Sequence, residues 1–333
     1  MGEYAPARIP VIEIVELSKY YGEARAVGPL SFTIEKGEIV GLLGLNGAGK
    51  TTTLRMLASD LLPTSGRMVV DGVDLAAEPG LVRARIGYLP DRPPLYGEMT
   101  VREFLEFAAR LRDVAASDVP ARVSEVLGLT SLVERADDRI DTLSHGFKQR
   151  VGIAQAIVHK PSLLLLDEPI SGLDPVQIVE MRELIRSLRG VQTIVISSHI
   201  LSEISETCDR LLVLRDGSLV AQGSESELRE HMVTHDLAVV VRLAADETEA
   251  ELVELVRGLD GVTRVARGAA DEPGADAVKL AVSATADVRA EVCRALCAKG
   301  YAVVGLERGA RELESVFLEL AGRGKREREE AAS

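Results

Sequence analysis

The stretch Gly44-Leu45-Asn46-Gly47-Ala48-Gly49-Lys50-Thr51 lies between an apolar run at 39–43 and an amphipathic segment at 51–58. It has the form of a phosphate-binding loop. Glycines let consecutive backbone N–H groups turn toward one anion, and the helix that follows adds the positive end of its dipole. Lys50 then reaches β- and γ-phosphates, and Thr51 offers a hydroxyl to Mg²⁺. Asn46, Gly47, Ala48, Gly49, Lys50, Thr51 and Thr52 are the expected nucleotide-binding set. Further along, Asp167-Glu168 closes the apolar run 163–166, and His199 follows the run 191–197. Alone, two acids after a strand are a common helix start. Beside a phosphate loop, Asp167 is placed to hold Mg²⁺ directly or through water, and Glu168 to orient and polarise an attacking water. His199 reads either as a satisfied polar residue or, by the same strand-end logic, as a hydrogen-bond partner of the γ-phosphate or the water. Tyr20 and Tyr21, upstream of the loop, are packing residues, or one ring stacks on a nucleotide base.

These groups need a parallel sheet whose C-terminal edge gathers them, because open α/β sheets place their ligand crevices there. The runs 39–43, 163–166 and 191–197 read as buried strands, with further strands at 11–17, 31–34, 68–70, 85–89 and 211–214. Asp71-Gly72 and Asp216-Gly217 read as tight turns, the latter in a terminal hairpin. Pro90 to Pro94 interrupts both helix and sheet. Thr100-Val101-Arg102-Glu103 is a capping box ahead of a helical stripe, and a second helix follows near 119–127. Residues 98–160 are therefore expected as a helical insertion into the α/β core.

The chain has 333 residues, 46% hydrophobic, enough for about two domains with a substantial core. A formal charge of −13 argues against tight, sequence-independent nucleic-acid binding, which requires clustered Lys and Arg. Such clustering is confined to Arg323 to Arg328, within the charged tail 323–333, which is expected to be a solvated end. No apolar run approaches the roughly 18–20 residues that span a bilayer, and the first ten residues lack the blocks of a signal peptide. A soluble chain is expected. Cys208, Cys293 and Cys297 form no C-x-x-C pair and read as buried or edge thiols of a reduced compartment.

Taken in order, the phosphate loop, the proline-rich loop, Leu143-Ser144-His145-Gly146-Phe147-Lys148-Gln149-Arg150, Asp167-Glu168-Pro169, Ser171-Gly172-Leu173-Asp174 and Ser198-His199 resemble an ABC-transporter nucleotide-binding subunit over residues 11–230. The segment around Ser144 is specific to ABC ATPases among P-loop NTPases. The resemblance implies a P-loop NTPase ABC cassette of α/β class, with a RecA-like core, an antiparallel β subdomain and an α-helical subdomain. It implies that Tyr21 stacks on adenine, that Lys50 and Thr51 hold phosphate and Mg²⁺, and that Asp167 is the second metal-site acid. Glu168 corresponds to the catalytic glutamate, His199 to the switch histidine, and Asp174 to a loop that meets the other subunit. Ser144 and Gly146 would touch the γ-phosphate of ATP held on a facing subunit. The implied assembly is a homodimer of cassettes, or a heterodimer with a paralogue. It would be peripheral on the inner face of the cell membrane through a separately encoded multispanning permease.

Two departures stand out. Asp91 occupies a position where many relatives carry glutamine, and its shorter, anionic side chain either binds Mg²⁺ more strongly or fails to reach it. His145 and Phe147 replace the glycine and glutamine of the commonest signature, a variant resembling the ATPase subunits of ABC-2-type exporters, including gliding-motility, sodium and drug-export systems. Export is implied on that basis. Two other readings are weaker: a soluble ABC ATPase acting on ribosomes or DNA, which generally has two fused cassettes or a long coiled-coil insertion, and a small-molecule kinase, which leaves Glu168 and 144–150 without roles.

Composition divides the chain into a cassette at 1–232 and an accessory domain at 236–322. In the latter, strands at 237–241, 263–266, 278–282 and 301–306 alternate with helical faces on Leu252, Leu255, Val256 and Leu259 and on Val288, Val292, Ala295 and Leu296. Strand-helix-strand-strand-helix-strand is the order of an α+β ferredoxin-like unit. Residues 268–276 read as its flexible loop, and Leu313, Val316, Phe317 and Leu320 as a closing helix that packs on this domain or on a partner. No catalytic constellation is visible there.

Overall fold

The computed structural model describes residues 10–231, 237–243, 248–267 and 277–308. The first elements are the strands β1 (Pro10–Tyr21) and β2 (Ala24–Glu35), paired as a hairpin. Both run well past the expected 11–17 and 31–34. Register shifts between Ile14 and Tyr20, with Glu16 at φ 50°, interrupt the alternation in sequence while the pairing continues, as bulges do. β3 (Ile39–Leu43) is buried at every position and leads into α1 (Lys50–Leu57). β4 (Ser65–Val70) and β5 (Val73–Asp74) flank the Asp71-Gly72 turn, and α2 (Pro79–Ala84) precedes β6 (Ile86–Leu89).

The expected helical insertion contains α3 (Val101–Leu111), α4 (Val119–Leu129) and α5 (His145–Ile157). The capping box of α3 is complete: Thr100 Oγ1 accepts from the Glu103 N–H at 3.2 Å, and the Glu103 carboxylate accepts from the Thr100 N–H at 2.8 Å. Next come β7 (Leu163–Asp167), α6 (Pro175–Ser187), β8 (Thr193–Ser198), α7 (Leu201–Ile204), β9 (Arg210–Arg215), β10 (Ser218–Gly223) and α8 (Glu225–His231).

Six strands form the central sheet in the order β10-β9-β3-β8-β7-β6, all parallel except β10. The order matters because sequence-distant strands β3, β7 and β8 become neighbours. Their register sets Leu43 opposite Ser198 and Asp167 opposite Ser197, so the ends that carry chemistry emerge side by side. A second, antiparallel sheet, β2-β1-β4-β5, shares a hydrophobic core with the central sheet through Ile12, Leu17, Leu30, Leu42, Leu54 and Leu212.

The described residues divide into two compact units after Leu228, earlier than the composition shift at Asp236. The second unit contains β11 (Leu237–Arg242), α9 (Glu249–Arg257), β12 (Val262–Arg267), β13 (Ala277–Ala284), α10 (Arg289–Ala298) and β14 (Ala302–Arg308). Its sheet runs β12-β13-β11-β14 with every pair antiparallel, which is the ferredoxin-like arrangement. Alternate residues Val239, Val241, Leu280 and Val282 pack against Leu252, Val256, Val292 and Leu296 of the two helices. Cys293 and Cys297 lie on α10, and they and Cys208 are free thiols. The expected loop at 268–276, the closing helix on Leu313 to Leu320 and the tail 323–333 lie outside the described residues. No described helix is long and apolar enough to cross a membrane.

Candidate active site

The phosphate loop connects β3 to α1 and turns at Gly49, whose φ of 99° suits glycine. A Cβ there would sit 2.9 Å from Val27 Cγ2 and 3.0 Å from the Ala26 carbonyl, so the loop is pressed against β2. No side chain caps α1 and no acid occupies its first turn, which leaves its leading N–H groups for an anion. Above the loop lies an open cleft of about 770 Å³. Asn46, Gly47, Gly49, Lys50, Thr51, Thr52, Asp91, Glu168 and His199 all line it, gathered from segments far apart in sequence. Ala48 is buried beneath, its N–H bonded to the Leu45 carbonyl at 3.0 Å.

Lys50 is almost wholly buried, and its ammonium donates to the Gly44 carbonyl at 2.7 Å and lies 3.3 Å from Glu168 Oε1. The other Glu168 oxygen, Oε2, is 2.8 Å from His199 Nδ1. A carboxylate only accepts, so Nδ1 carries the proton of that bond and the Nε2 side of the ring is left for another partner. Glu168 itself adopts φ 49°, and its N–H donates to Ser197 Oγ at 2.9 Å. That non-glycine residue in the left-handed region turns the carboxylate out of line with β7 and toward Lys50 and His199.

Asp167 lies under the cleft, fully buried. Its Oδ1 accepts from Ser197 Oγ at 2.6 Å and lies 3.4 Å from Thr51 Oγ1, while Oδ2 is buried without a hydrogen-bond partner. Burial pushes this carboxyl above the usual carboxylate range, against the pull of the Ser197 and Thr51 hydroxyls. An orphaned carboxylate oxygen next to a threonine hydroxyl suits a hard cation. Among the described residues no cluster of three or more His, Cys, Asp or Glu forms a metal cage, but Mg²⁺ needs only one or two carboxylates beside substrate phosphates.

Three expected residues are elsewhere. Tyr21, at the end of β1, is 53% exposed and does not line the cleft; the Lys19 ammonium sits 5.4 Å from its ring centroid. Ser144 and Gly146 also lie outside the cleft, at the start of α5. Ser144 caps that helix by accepting from the Phe147 N–H, and a Cβ on Gly146 would sit 2.8 Å from Gln177 Oε1 on α6. Asp174 caps α6 by accepting from the Gln177 N–H at 2.9 Å. Conversely, Arg25, Ser171 and Asp216 line the cleft without having been singled out as binding residues. Arg25 comes from β2 and donates to the Asp216 carbonyl at 3.4 Å, a closure between hairpins that no local spacing announces.

The ABC transporter family model matches residues 27–171, from β2 through the phosphate loop, the α5 start and the two acids. The uncharacterized ABC transporter ATP-binding protein YxlF of Bacillus subtilis is 40% identical over 232 residues, 70% of this chain and 77% of that protein. The chain belongs to the ABC transporter ATP-binding family. Similarity extends into the second unit for the linearmycin resistance ATP-binding protein LnrL of Bacillus subtilis, 30% identical over 94% of this chain and 99% of LnrL. A solved structure described as the ATP-binding subunit of an ABC transporter covers 66% of this chain and 92% of its own, at 32% identity and a TM-score of 0.60. The family's ATPase cassette therefore accounts for the first unit and its cleft.

Proposed function

We propose that this chain is the ATP-hydrolysing subunit of an ABC exporter, working as a pair of cassettes around two ATP molecules and driving a separately encoded membrane protein. The observation that carries the hydrolytic reading is the contact of Glu168 with both Lys50 and His199 at the edge of one sheet. Residues 1–232 are assigned to the cassette and 236–322 to an accessory domain. Export is supported by the signature variant and by the name of LnrL, a resistance protein.

In this reading the triphosphate takes the place of the Gly44 carbonyl as the partner of Lys50, helped by the loop N–H groups. Release of Lys50 frees Glu168 Oε1 to accept a proton from the attacking water, while His199 holds Oε2 in place. Thr51 and Asp167 are the residues that would hold Mg²⁺, with Asp91 facing the same cleft. When bound, that ion neutralises charge on the β- and γ-phosphates. Ser144 and Gly146 complete the site from a second copy, since in their own chain they lie outside the cleft. Pro90 to Met99 and the helical insertion would pass the motion to the membrane subunit.

The direct test is Glu168→Gln, measured by phosphate release and by equilibrium nucleotide binding. Turnover is expected to fall about 10²- to 10⁴-fold with ATP affinity retained. Wild-type turnover in this variant would overturn the role given to Glu168.

A further inference from the structure

We propose that Glu203 is a positioning residue for His199: through the Ser198 hydroxyl, its buried carboxylate fixes the turn that presents the imidazole to Glu168. The inference rests on the roles given above to His199 and Glu168. Glu203 lies on α7, only 9% exposed, and is not among the residues lining the cleft. A carboxylate is buried at a cost unless hydrogen bonds compensate it. Here Oε2 accepts from Ser198 Oγ at 2.6 Å.

Ser198 is the last residue of β8, and its hydroxyl has one hydrogen to give. Two acceptors compete for it: Glu203 Oε2 at 2.6 Å and the Ile200 carbonyl at 3.1 Å. The shorter, charge-assisted bond wins. With the hydrogen committed to Glu203, the oxygen lone pairs of Ser198 accept from the Ile200 N–H at 3.0 Å. One hydroxyl thus closes a turn with His199 at its apex. The backbone on one side of that apex is already anchored, because the Ser198 carbonyl accepts from the Gly44 N–H at 3.3 Å. On the other side, Arg182 of α6 donates its Nε to the Glu203 carbonyl at 3.0 Å and its Nη2 to the Ser202 carbonyl. The apex itself has little packing: Ile200 is 37% exposed and the His199 side chain 36%. The Ser198–Glu203 bond is therefore what restricts the imidazole to the orientation that reaches Glu168.

If the pair served only to satisfy two buried polar groups, removing it would lower stability and leave the route of catalysis alone. The two roles separate in a double-mutant cycle on the full chain. ATP turnover, ATP affinity and thermal midpoint are measured for Glu203→Ala, Glu203→Gln, His199→Ala and the Glu203→Ala/His199→Ala double variant. Glu203→Ala is expected to lower kcat about tenfold or more with ATP affinity unchanged. Glu203→Gln keeps an acceptor at the same reach and recovers most of the loss. The double variant turns over no more slowly than His199→Ala, because Glu203 acts through that ring. Ser198→Ala breaks the same link from the other side and should match Glu203→Ala, which covers the outcome that Glu203→Ala fails to fold. A Glu203→Ala loss that persists in full in the His199→Ala background overturns the proposal alone. Wild-type turnover in His199→Ala overturns the role of His199, and this proposal with it.

Discussion

The cleft and the signature region, both in the first unit, are organised in opposite ways. At the cleft, Asp167, Glu168 and His199 stand at the ends of adjacent parallel strands and Lys50 at the start of α1; Glu168 already contacts Lys50 and His199, and Asp167 and Lys50 are buried. Ser144, His145 and Gly146 sit at the start of α5 instead, with Ser144 and His145 exposed and all three outside the cleft. Part of the cleft's chemistry is thus assembled within one chain, and none of the three signature residues lines it. Bonds among cleft residues are made on folding, whereas the Ser144 hydroxyl is bound to its own helix at the Phe147 N–H and, on the proposed reading, meets a nucleotide only when a second copy brings one. On the function proposed above, a site split in this way depends on assembly, with a two-fold pair of chains supplying each half to the other.

The sharpest way to break that contrast is to damage the two regions in separate chains. Lys50→Ala removes the phosphate-binding cation and should lower turnover about 10²- to 10³-fold. Ser144→Ala spares the cleft, so a single chain should bind ATP normally while turnover falls about tenfold or more, with about 1 kcal/mol lost from the α5 cap. Mixed in equal amounts, the two variants form dimers in which the intact cleft of one chain meets the intact signature of the other. Random pairing gives mixed dimers half the time, each with one good site, so activity should return to about a quarter of wild type. Phosphate release by the mixture, compared with each variant alone, is the measurement. Additive residual activities without recovery would place both regions in one self-sufficient site.

How legible these regions were in the sequence follows from what positions them. The strands that feed the cleft are buried on both faces, so they appear as unbroken apolar runs, and the residues after them could be read as strand-end chemistry. The ferredoxin-like unit was readable for a related reason: one face of its sheet is covered by helices, and residues such as Val239 and Val241 alternate accordingly. Non-local closures were not readable. Arg25 reaches the cleft through a hairpin whose true length was masked by bulges, and α6 carries Val176 and Val179 on its exposed side, which blurs its stripe. Glu203 was not singled out, since nothing local shows that the Ser198 hydroxyl bonds to it. The separation of Ser144 from the cleft was expected only from the family resemblance, because spacing along a chain says nothing of which side of a sheet a helix start will face.

The far end of α5 offers a milder way to sharpen the contrast. Just beyond it, His159 donates through Nε2 to the Ile86 carbonyl at 3.1 Å, tying the signature helix to β6, and its Nδ1 is buried without a partner. Burial, reinforced by the Arg112 charge, lowers its pKa from 6.5 to about 4. Between those values the unfolded chain takes up a proton that the folded chain refuses. Stability therefore falls as pH is lowered through this window, by less than about 1.4 kcal/mol per pH unit because the ring is partly solvated. His159→Gln keeps a donor for Ile86 but cannot titrate. Denaturant midpoints at several pH values between 4 and 7 should show a shallower acid-side decline for the variant. Parallel declines would mean that His159 titrates alike in the folded and unfolded chain, so that burial does not hold the ring neutral.

The smallest expected effect concerns a hydrogen bond that joins the two regions within a chain. His145 Nε2 lies 3.2 Å from the Ser171 carbonyl, and since a carbonyl accepts, Nε2 donates. Ser171 lines the cleft, so this bond links the start of α5 to the cleft wall without passing through the core. It is exposed, which limits its net worth to about 0.5–1 kcal/mol. His145→Ala should therefore change folding stability by no more than that, and turnover by about two- to fivefold if the bond helps place Ser171. His145→Gln, whose amide donates at a similar reach, should restore both. A loss as large as that of Lys50→Ala would show that His145 meets the reacting phosphate itself. Wild-type behaviour in His145→Ala would mean that each chain's cleft and signature answer only to the partner that brings them together.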